Sequence, residues 1–324
     1  MREVAFIKQN KEKWLEIEEV ITGKTKKDPD ELSSLYINLI NDLSFAQTYY
    51  PKSKTKIYLN HLATSIYQKI YKTKRTESNR IVEFFKTEVP LIAYEYRKFL
   101  WFAFAVFAFF IGIGVVSTHY DEDFVRLILG DDYVFMTEQN IEDGNPIAVY
   151  EGGSTWGSAI GIIKNNVMVG AKLYLYGIFG GIGTLLVLMY NSIMLGSFQY
   201  MFQQQEVLGT SMRGIWIHGA FEIFGMVIEA MAGFILGASI LFPKTYSRYN
   251  SFKIGFKKSF KIFLSVLPFT VIAGILEGFV TRHALSMPLI LNLIIIFGTL
   301  GFIFYYYVIY PVRVHKKLKA HAVL

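Results

Sequence analysis

Five long apolar stretches restrict what this chain can fold into more than any other feature of its sequence. A helix needs about 20 apolar residues to cross the hydrocarbon core of a bilayer, and a backbone in lipid must satisfy its own hydrogen bonds. The stretches therefore predict an all-α, polytopic transmembrane helix bundle with about five spans. A hydrophobic content of 52% also favours a membrane protein. The predicted spans are residues 99–117, 173–198, 214–242, 263–280 and 288–310.

Two amphipathic segments predict helices that lie at the membrane interface. Residues 156–174 contain Lys164 and a polar pair, Asn165 and Asn166, which argue against a span. Residues 251–263 carry a stripe of lysines beside a stripe of phenylalanines, which is typical of a helix in the headgroup region. Because lysines attract anionic lipid, we expect headgroup binding through three of them. These are Lys253, Lys257 and Lys261.

The first 97 residues predict a soluble helical domain that precedes the spans. Asp28 is a predicted helix N-cap, with Pro29 in the first turn and Glu31 three residues on. The lysines of this domain alternate with carboxylates instead of forming one basic patch. We therefore expect no nucleic-acid partner.

Charge is distributed unevenly along the chain and predicts its orientation. Residues 118–163 hold nine acidic residues and one basic residue, Arg126. Basic segments favour the cytoplasmic side, so we predict a cytoplasmic N-terminus. Five crossings would then leave a basic tail outside, whereas an even number requires residues 214–242 to form a split, re-entrant element. The predicted regions are a cytoplasmic helical domain (1–97), a first transmembrane helix (98–117), an acidic extracytoplasmic loop (118–155), a membrane core (156–312) and the basic tail (313–324).

Ionisable and polar side chains interrupt the apolar stretches. Each residue of a helix turns about 100°, so His218, Glu222 and Glu229 share one face of the third span. A carboxylate in hydrocarbon costs several kcal/mol unless it is paired, hydrogen-bonded, protonated or hydrated. We therefore predict that these groups meet in the bundle interior. The predicted intramembrane cluster is His218, Glu222, Glu229, Glu277, Asn191, Thr184 and Asn292.

Three interpretations of this cluster remain open. It could be a hydrogen-bond network that joins helices, a path for protons, ions or a polar substrate, or a metal centre. One histidine with scattered glutamates is weak evidence for a metal, so we predict no metal site. We also predict no catalytic residue and no cofactor, because we find no nucleophile–base pair and the chain has no cysteine.

Small residues recur on faces of the predicted spans and predict close helix packing. In the second span, Gly177, Thr184 and Asn191 are spaced seven apart. Such faces let backbones approach closely, either within one chain or in a homodimer. The predicted packing glycines are Gly177, Gly181, Gly233, Gly237, Gly274 and Gly278.

In this order, the motifs resemble the stage II sporulation protein M (SpoIIM-like) family. In the membrane region the resemblance rests on Asn165-Asn166, GIFGGIGTLLVLMYNSIMLG (177–196), HGAFEIFGMVIEAMAGFILG (218–237) and Glu277 after Pro268. In the N-terminal region it rests on Trp14 and residues 35–48 and 59–71. The chain departs from the family pattern at Ser192, where the family has glycine. The resemblance implies a multi-span membrane protein, and the sporulation member helps to localise a peptidoglycan-degrading complex without being its hydrolase.

From the residues and the resemblance together we expect a non-enzymatic membrane scaffold that organises a membrane or cell-envelope complex. The alternative is a transporter or channel-like subunit for ions, protons or lipid that uses the intramembrane His/Glu cluster. The expected partners are membrane lipids, unidentified membrane or envelope proteins and a second copy of the chain. The expected location is the cytoplasmic (inner) membrane.

Overall fold

The computed structural model describes residues 2–23, 25, 27–73, 79–150 and 155–321, and every regular element within these ranges is helical. The chain divides into two compact units, Met1–Arg80 and Ile81–Leu324. Residues 151–154 of the predicted acidic loop and 322–324 of the predicted basic tail lie outside the described residues.

The N-terminal unit contains three helices, α1 (Glu3–Thr22), α2 (Pro29–Tyr49) and α3 (Lys54–Thr73). Apolar side chains from all three form its core, among them Trp14, Leu39 and Leu59. The predicted N-cap is confirmed, because the Asp28 carboxylate accepts hydrogen bonds from the backbone amides of residues 30 and 31, at 3.0 and 2.8 Å. The unit ends before residue 97, because the next helical segment packs with the second unit.

That segment consists of short helices joined by a wide turn. Helix α4 (Arg80–Glu83) continues through a π-helical turn (Phe84–Glu88) into α5 (Val89–Glu95). Helix α6 (Arg97–Tyr120) follows and is the first of the long apolar helices. The predicted first span is thereby confirmed.

Four more apolar helices are long enough to cross a membrane. They are α10 (Ile182–Gln204), α11 (Leu208–Leu241), α12 (Arg248–Phe279) and α13 (Leu289–Phe304), the last of which continues through a π-helical turn into α14 (Tyr310–His321). Two short helices, α7 (Phe124–Leu129) and α8 (Asp131–Glu142), lie between α6 and the next long helix, α9 (Thr155–Leu175). The prediction of an all-α bundle with five apolar spans is confirmed.

The second predicted span begins later than expected. The chain turns at Gly180 and Gly181, whose φ angles of +67° and +85° suit glycine, and α10 starts at Ile182. Gly177 therefore belongs to a short turn after α9, while Thr184 and Asn191 belong to α10. These three residues are seven positions apart in sequence, but they do not lie on one continuous helix.

Helix α11 lies at the centre of the second unit and is buried along most of its length. It packs against α6, α9, α10, α12 and α13. No break interrupts it, so the alternative in which residues 214–242 form a split, re-entrant element is wrong.

Helix α9, expected at the interface, packs inside the second unit and runs parallel to α11. Asn166 of α9 contacts Glu222 of α11, and one turn later Gly170 lies against Glu229. The small residue at 170 allows this approach, because a Cβ there would overlap the Glu229 carboxylate. Lys164 and Asn165 are exposed, and Asn165 also lines a cavity beside Asn166, so their polarity does not prevent the packing.

The same helix runs antiparallel to α12 over nearly its full length. The rings of Trp156 and Phe279 lie 4.7 Å apart at one end, and those of Tyr174 and Phe263 lie 5.0 Å apart at the other. Eighteen residues separate Trp156 from Tyr174, a rise of roughly 27 Å in a helix. This is close to the thickness of a hydrocarbon core, about 30 Å. Helix α9 is therefore a sixth lengthwise passage through the unit.

The predicted interfacial segment 251–263 is the first part of α12 and not a separate helix. No helix breaker separates it from the apolar part, and Pro268 is accommodated inside the helix. Lys253 and Lys257 are exposed, whereas Lys261 forms an ion pair with Glu88 at 2.6 Å.

The segments that precede the first long helix and follow the last one meet at one end of the second unit. The rings of Tyr94 and His315 stack with their centroids 3.9 Å apart, and the Tyr310 hydroxyl donates to the Lys86 carbonyl at 3.1 Å. Six lengthwise passages account for this, because an even number returns the chain to the end where it started. The acidic helices α7 and α8 lie at the opposite end, where Tyr133 packs against Phe198 near the end of α10.

Candidate functional site

A cavity of about 490 Å³ lies inside the second unit between α9, α10, α11 and α12. Five members of the predicted intramembrane cluster line it, and so does the polar pair predicted at the interface. Tyr150, from the segment before α9, also lines it. The lining residues from the sequence prediction are His218, Glu222, Glu229, Glu277, Asn191, Asn165 and Asn166.

His218 is buried and its two ring nitrogens have different surroundings. Nδ1 lies 2.9 Å from the Thr281 hydroxyl, which itself donates to the Leu276 carbonyl at 3.3 Å. Since a hydroxyl has only one proton to donate, it accepts from His218 at Nδ1. A neutral imidazole then carries a free lone pair on Nε2, and this nitrogen lies 3.7 Å from Oε2 of Glu277.

Glu222 is held by a short chain of amides on α9. Its Oε1 accepts from Nδ2 of Asn166, whose Oδ1 accepts from Nδ2 of Asn165 at 3.3 Å. His218, Glu222 and Glu277 each offer one ligand atom, and these atoms all lie within 4.8 Å of one another. Helices α9, α11 and α12 thus bring together groups that are up to 112 positions apart in the chain.

Glu229 lies deeper along α11, two turns beyond Glu222. It is only 3% exposed, and its Oε1 has no hydrogen-bond partner among the described residues. Glu229 lines the same cavity, and its carboxylate packs against Gly170 of α9. Nothing in the described part of the chain pairs it with a lysine or an arginine.

Thr184 and Asn292 lie apart from the cavity. The Thr184 hydroxyl donates to the Leu173 carbonyl at 2.8 Å where α10 crosses the end of α9. Nδ2 of Asn292 donates to the Ala284 carbonyl at 2.8 Å and so holds the turn between α12 and α13. Asn191 lines the cavity, but its amide donates to the Val187 carbonyl of its own helix.

The predicted packing glycines make their contacts within this chain. A Cβ on Gly177 would overlap the backbone of Gly233, and one on Gly237 would overlap that of Gly181. A Cβ on Gly274 would overlap the side chain of Ile163, and Gly278 is buried in α12. These close approaches set the spacing of the helices that surround the cavity.

Tyr150 is a site residue that the sequence analysis missed. Its ring lies 5.4 Å from that of His218, centroid to centroid. Burial raises the pKa of Tyr150 well above its ordinary value, and the neighbouring Tyr133, Glu277 and Glu222 raise it further. Tyr150 therefore keeps its phenolic proton. No motif signals it, because it comes from a loop whose docking depends on the tertiary fold.

Gly170 is the second missed residue, and here a signal exists. It follows Asn166 by four positions, so both lie on the same face of α9. On the parallel helix, Asn166 contacts Glu222 and Gly170 lies against Glu229. The glutamates, the asparagines and His218 together give the cavity many acceptor atoms, which can hold protons or bind a cation.

The comparisons with known proteins agree with this architecture. The family model described as Stage II sporulation protein M matches residues 103–282, more than half of the chain, and this range contains every residue named above as lining the cavity. A second model, described as Domain of unknown function (DUF8413), matches residues 4–72, within the N-terminal unit. No curated protein and no solved structure matches the chain.

Proposed function

This chain belongs to the stage II sporulation protein M family, and from its apolar helices and inner cavity we propose that it moves protons or small cations across a membrane, as a transporter or a channel-like subunit. The observation that carries the proposal is the convergence of three glutamates and one histidine on one cavity inside the bundle. Ionisable residues within membrane spans are costly and commonly mark ion paths or proton relays.

The alternative that the cluster only joins helices fits the contacts less well. A network that serves as structural glue satisfies its acceptors, because unpaired buried polar groups are expensive. Here Oε1 of Glu229 has no partner among the described residues, and Nε2 of His218 faces a carboxylate. Thr184 and Asn292, by contrast, donate to backbone carbonyls and fit the structural role.

The acidic groups lie at two positions along the length of the cavity. His218, Glu222 and Glu277 lie near Tyr150, toward the end that carries the acidic helices. Glu229 lies seven residues beyond Glu222, roughly 10 Å along the helix axis. A proton or cation that enters from the acidic end would meet these groups in that order.

Flux through vesicles that contain the purified protein tests the proposal. We expect proton or cation flux in the wild type, reported by an entrapped indicator, and loss of it in Glu222→Gln and Glu229→Gln. The matched control is Glu142→Gln, because Glu142 is exposed on α8 and lies outside the cavity. Equal flux in wild-type and Glu222→Gln vesicles would reject this function.

We further propose that the chain lies in the cytoplasmic membrane with its N-terminus and its C-terminal tail on the cytoplasmic side. The six lengthwise passages support the even topology, and the positive-inside tendency supports its orientation. Since the chain has no cysteine, Thr245→Cys and Lys317→Cys should be protected from an impermeant thiol reagent in intact cells, whereas Ser286→Cys should react. The reverse labelling pattern would invert the orientation.

A scaffold is the second candidate function, and the N-terminal unit favours it. This unit has its own core and its own family match, and it leaves apolar side chains such as Ile37 and Ile57 60% and 69% exposed. We propose that they contact a membrane or envelope protein. Chemical crosslinking in native membranes should capture a stoichiometric partner that Ile37→Glu/Ile57→Glu loses and Lys11→Glu retains. Capture that does not distinguish these variants would contradict the scaffold.

The remaining predictions describe partners and chemistry. Membrane lipids and a second copy of the chain stay predicted partners, the expectation of no nucleic-acid partner stays a prediction, and we propose no enzymatic step. The homodimer has less support than the sequence suggests, because the glycine pairs that favoured it are used within the chain. Light scattering of the detergent-solubilised protein decides between a monomer and a dimer.

A further inference from the structure

The end of the cavity nearest Tyr150 combines three acceptor groups from two helices. His218 and Glu222 belong to α11, and Glu277 belongs to α12. One ligand atom from each lies within 4.8 Å of the other two. We propose that these three residues bind a divalent transition-metal cation. The inference deepens the proposed function by naming a cation class, and it rests on that function only where transport of the metal is concerned.

The hydrogen bonds of His218 prepare it to bind a metal. The Thr281 hydroxyl occupies Nδ1, which leaves the Nε2 lone pair directed toward the Glu277 carboxylate 3.7 Å away. Two acceptors at this distance repel unless a proton or a cation lies between them. Metal-binding histidines commonly donate their second ring N–H to a neighbouring oxygen, which is the role that Thr281 has here.

Glu222 is oriented by a comparable contact. Asn166 donates to its Oε1, and the Glu222 carboxyl also lies within hydrogen-bonding reach of the Glu277 carboxyl, so a proton or a cation must lie between these two acidic groups. Ligated carboxylates are typically held by such outer hydrogen bonds. Glu222 and His218 are thus each held by one outer hydrogen bond, to Asn166 and Thr281 respectively.

The distances are compatible with one shared ion after a small adjustment. Nitrogen and oxygen ligands bind a metal such as zinc at about 2.1 Å, so two ligands of one ion lie at most about 4.2 Å apart. The limit of 4.8 Å among the three atoms would have to shorten by roughly half an ångström, within the reach of a glutamate rotamer adjustment. No backbone movement is required.

A second observation points to a positively charged ligand in the same cavity. Glu229, another residue that lines the cavity, is 3% exposed, and its Oε1 has no hydrogen-bond partner and no lysine or arginine partner among the described residues. A buried carboxylate oxygen that lacks a donor is compensated by a proton or by a nearby cation. The triad and this oxygen lie on the same side of α11.

The ligand set indicates the class of metal. Imidazole suits zinc, iron, copper and nickel, and carboxylates extend the set to manganese, whereas magnesium and calcium prefer all-oxygen sites. One imidazole with two carboxylates therefore favours zinc, iron or manganese over magnesium. The absence of cysteine excludes thiolate-type sites.

Metal binding to the purified full-length protein tests the inference without any transport. After chelator treatment, equilibrium dialysis against Zn²⁺ or Mn²⁺ should load one ion per chain, and Mg²⁺ should not compete. We expect His218→Ala and Glu277→Gln to remove this binding, and Thr281→Val to weaken it by about 10- to 100-fold. The controls are His119→Ala and Glu142→Gln, which change residues outside the cavity. A folded state of each variant is checked by thermal unfolding.

Two outcomes overturn the inference. One is the absence of saturable Zn²⁺ or Mn²⁺ binding at one ion per chain, and the other is equal binding by wild type, Glu277→Gln and Thr281→Val. If His218→Ala fails to fold, metal binding by Glu277→Gln and Thr281→Val still tests the inference. The visible spectrum of bound Co²⁺ then reports whether an imidazole is a ligand. Glu229→Gln separates the two proposals, because it should abolish flux and leave one metal per chain. Metal binding without flux would refute only the transport function.

Discussion

The contact of Gly233 with its neighbours allows a stability change to be estimated from the structure. A Cβ at this position would overlap the carbonyl oxygen of Leu173 and the side chain of Thr184. One of these neighbours is backbone, so the contact cannot relax by a simple rotamer change. The variant Gly233→Ala must separate α11 from the end of α9 or shift α10.

Three effects determine the size of the change. Overpacking of a buried site costs about 1–3 kcal/mol, and the involvement of backbone favours the upper part of this range. Loss of the Thr184 hydrogen bond to the Leu173 carbonyl adds about 1 kcal/mol. Replacing glycine by alanine inside a helix returns about 0.5–1 kcal/mol. The net loss in the free energy of unfolding is therefore about 2–3 kcal/mol.

Thermal unfolding in a mild detergent measures this loss. For a unit of this size, about 2–3 kcal/mol corresponds to a decrease in Tm of roughly 5–10 °C. The matched control is Gly112→Ala in α6, because no atom lies within 4 Å of a Cβ at Gly112. It should unfold at the wild-type temperature or slightly above. If Gly233→Ala and Gly112→Ala unfold at the same temperature, Gly233 does not pack closely against Leu173 and Thr184.

Two further predictions concern the N-terminal unit and the lysine stripe. Hydrogen bonds from Ser53 and Thr55 lower the pKa of Glu3 below its unfolded value near 4.5, so its contribution to stability is present above that pH and is lost as the pH falls through the folded pKa. Unfolding monitored from pH 6 to pH 3 should therefore show a smaller acid effect in Glu3→Gln than in the wild type. Lys253→Ala should weaken binding of anionic lipid to the detergent-solubilised protein by about 1 kcal/mol, whereas Lys261→Ala should have less effect because its ammonium group is already in an ion pair. Equal losses of bound anionic lipid in the two variants would contradict this difference.

Hydrophobic length and helical periodicity were sufficient for much of the fold. Spans such as 99–117 could be predicted because lipid leaves a long apolar chain little choice but a helix. The stripe of His218, Glu222 and Glu229 followed from the 100° step alone, and α11 carries all three toward one cavity. Glu277 could be assigned to the same interior because a carboxylate avoids lipid.

Other features depended on tertiary contacts that no local pattern contains. The Gly180-Gly181 turn lies inside a continuous apolar stretch, so hydropathy extended the second span across it. Tyr150 joins the cavity only after the loop before α9 docks, and Asn292 leaves the predicted cluster because the Ala284 carbonyl is nearer. In each case the partner is distant in sequence or is a backbone group that a side-chain pattern does not reveal.

Helix α9 is the most polar of the six passages, and for this reason its sequence predicted a helix at the membrane interface. Judged alone, Lys164, Asn165 and Asn166 make it a poor span, because their polarity is counted against lipid. Inside the bundle the relevant surroundings are the glutamates of α11, and Asn166 is the donor that Glu222 requires. Asn166 and the buried Glu222 thus stabilise each other, whereas Lys164 and Asn165 stay exposed. A sixth passage of this kind is recognisable only when the charges of its neighbours are considered together with its own hydropathy.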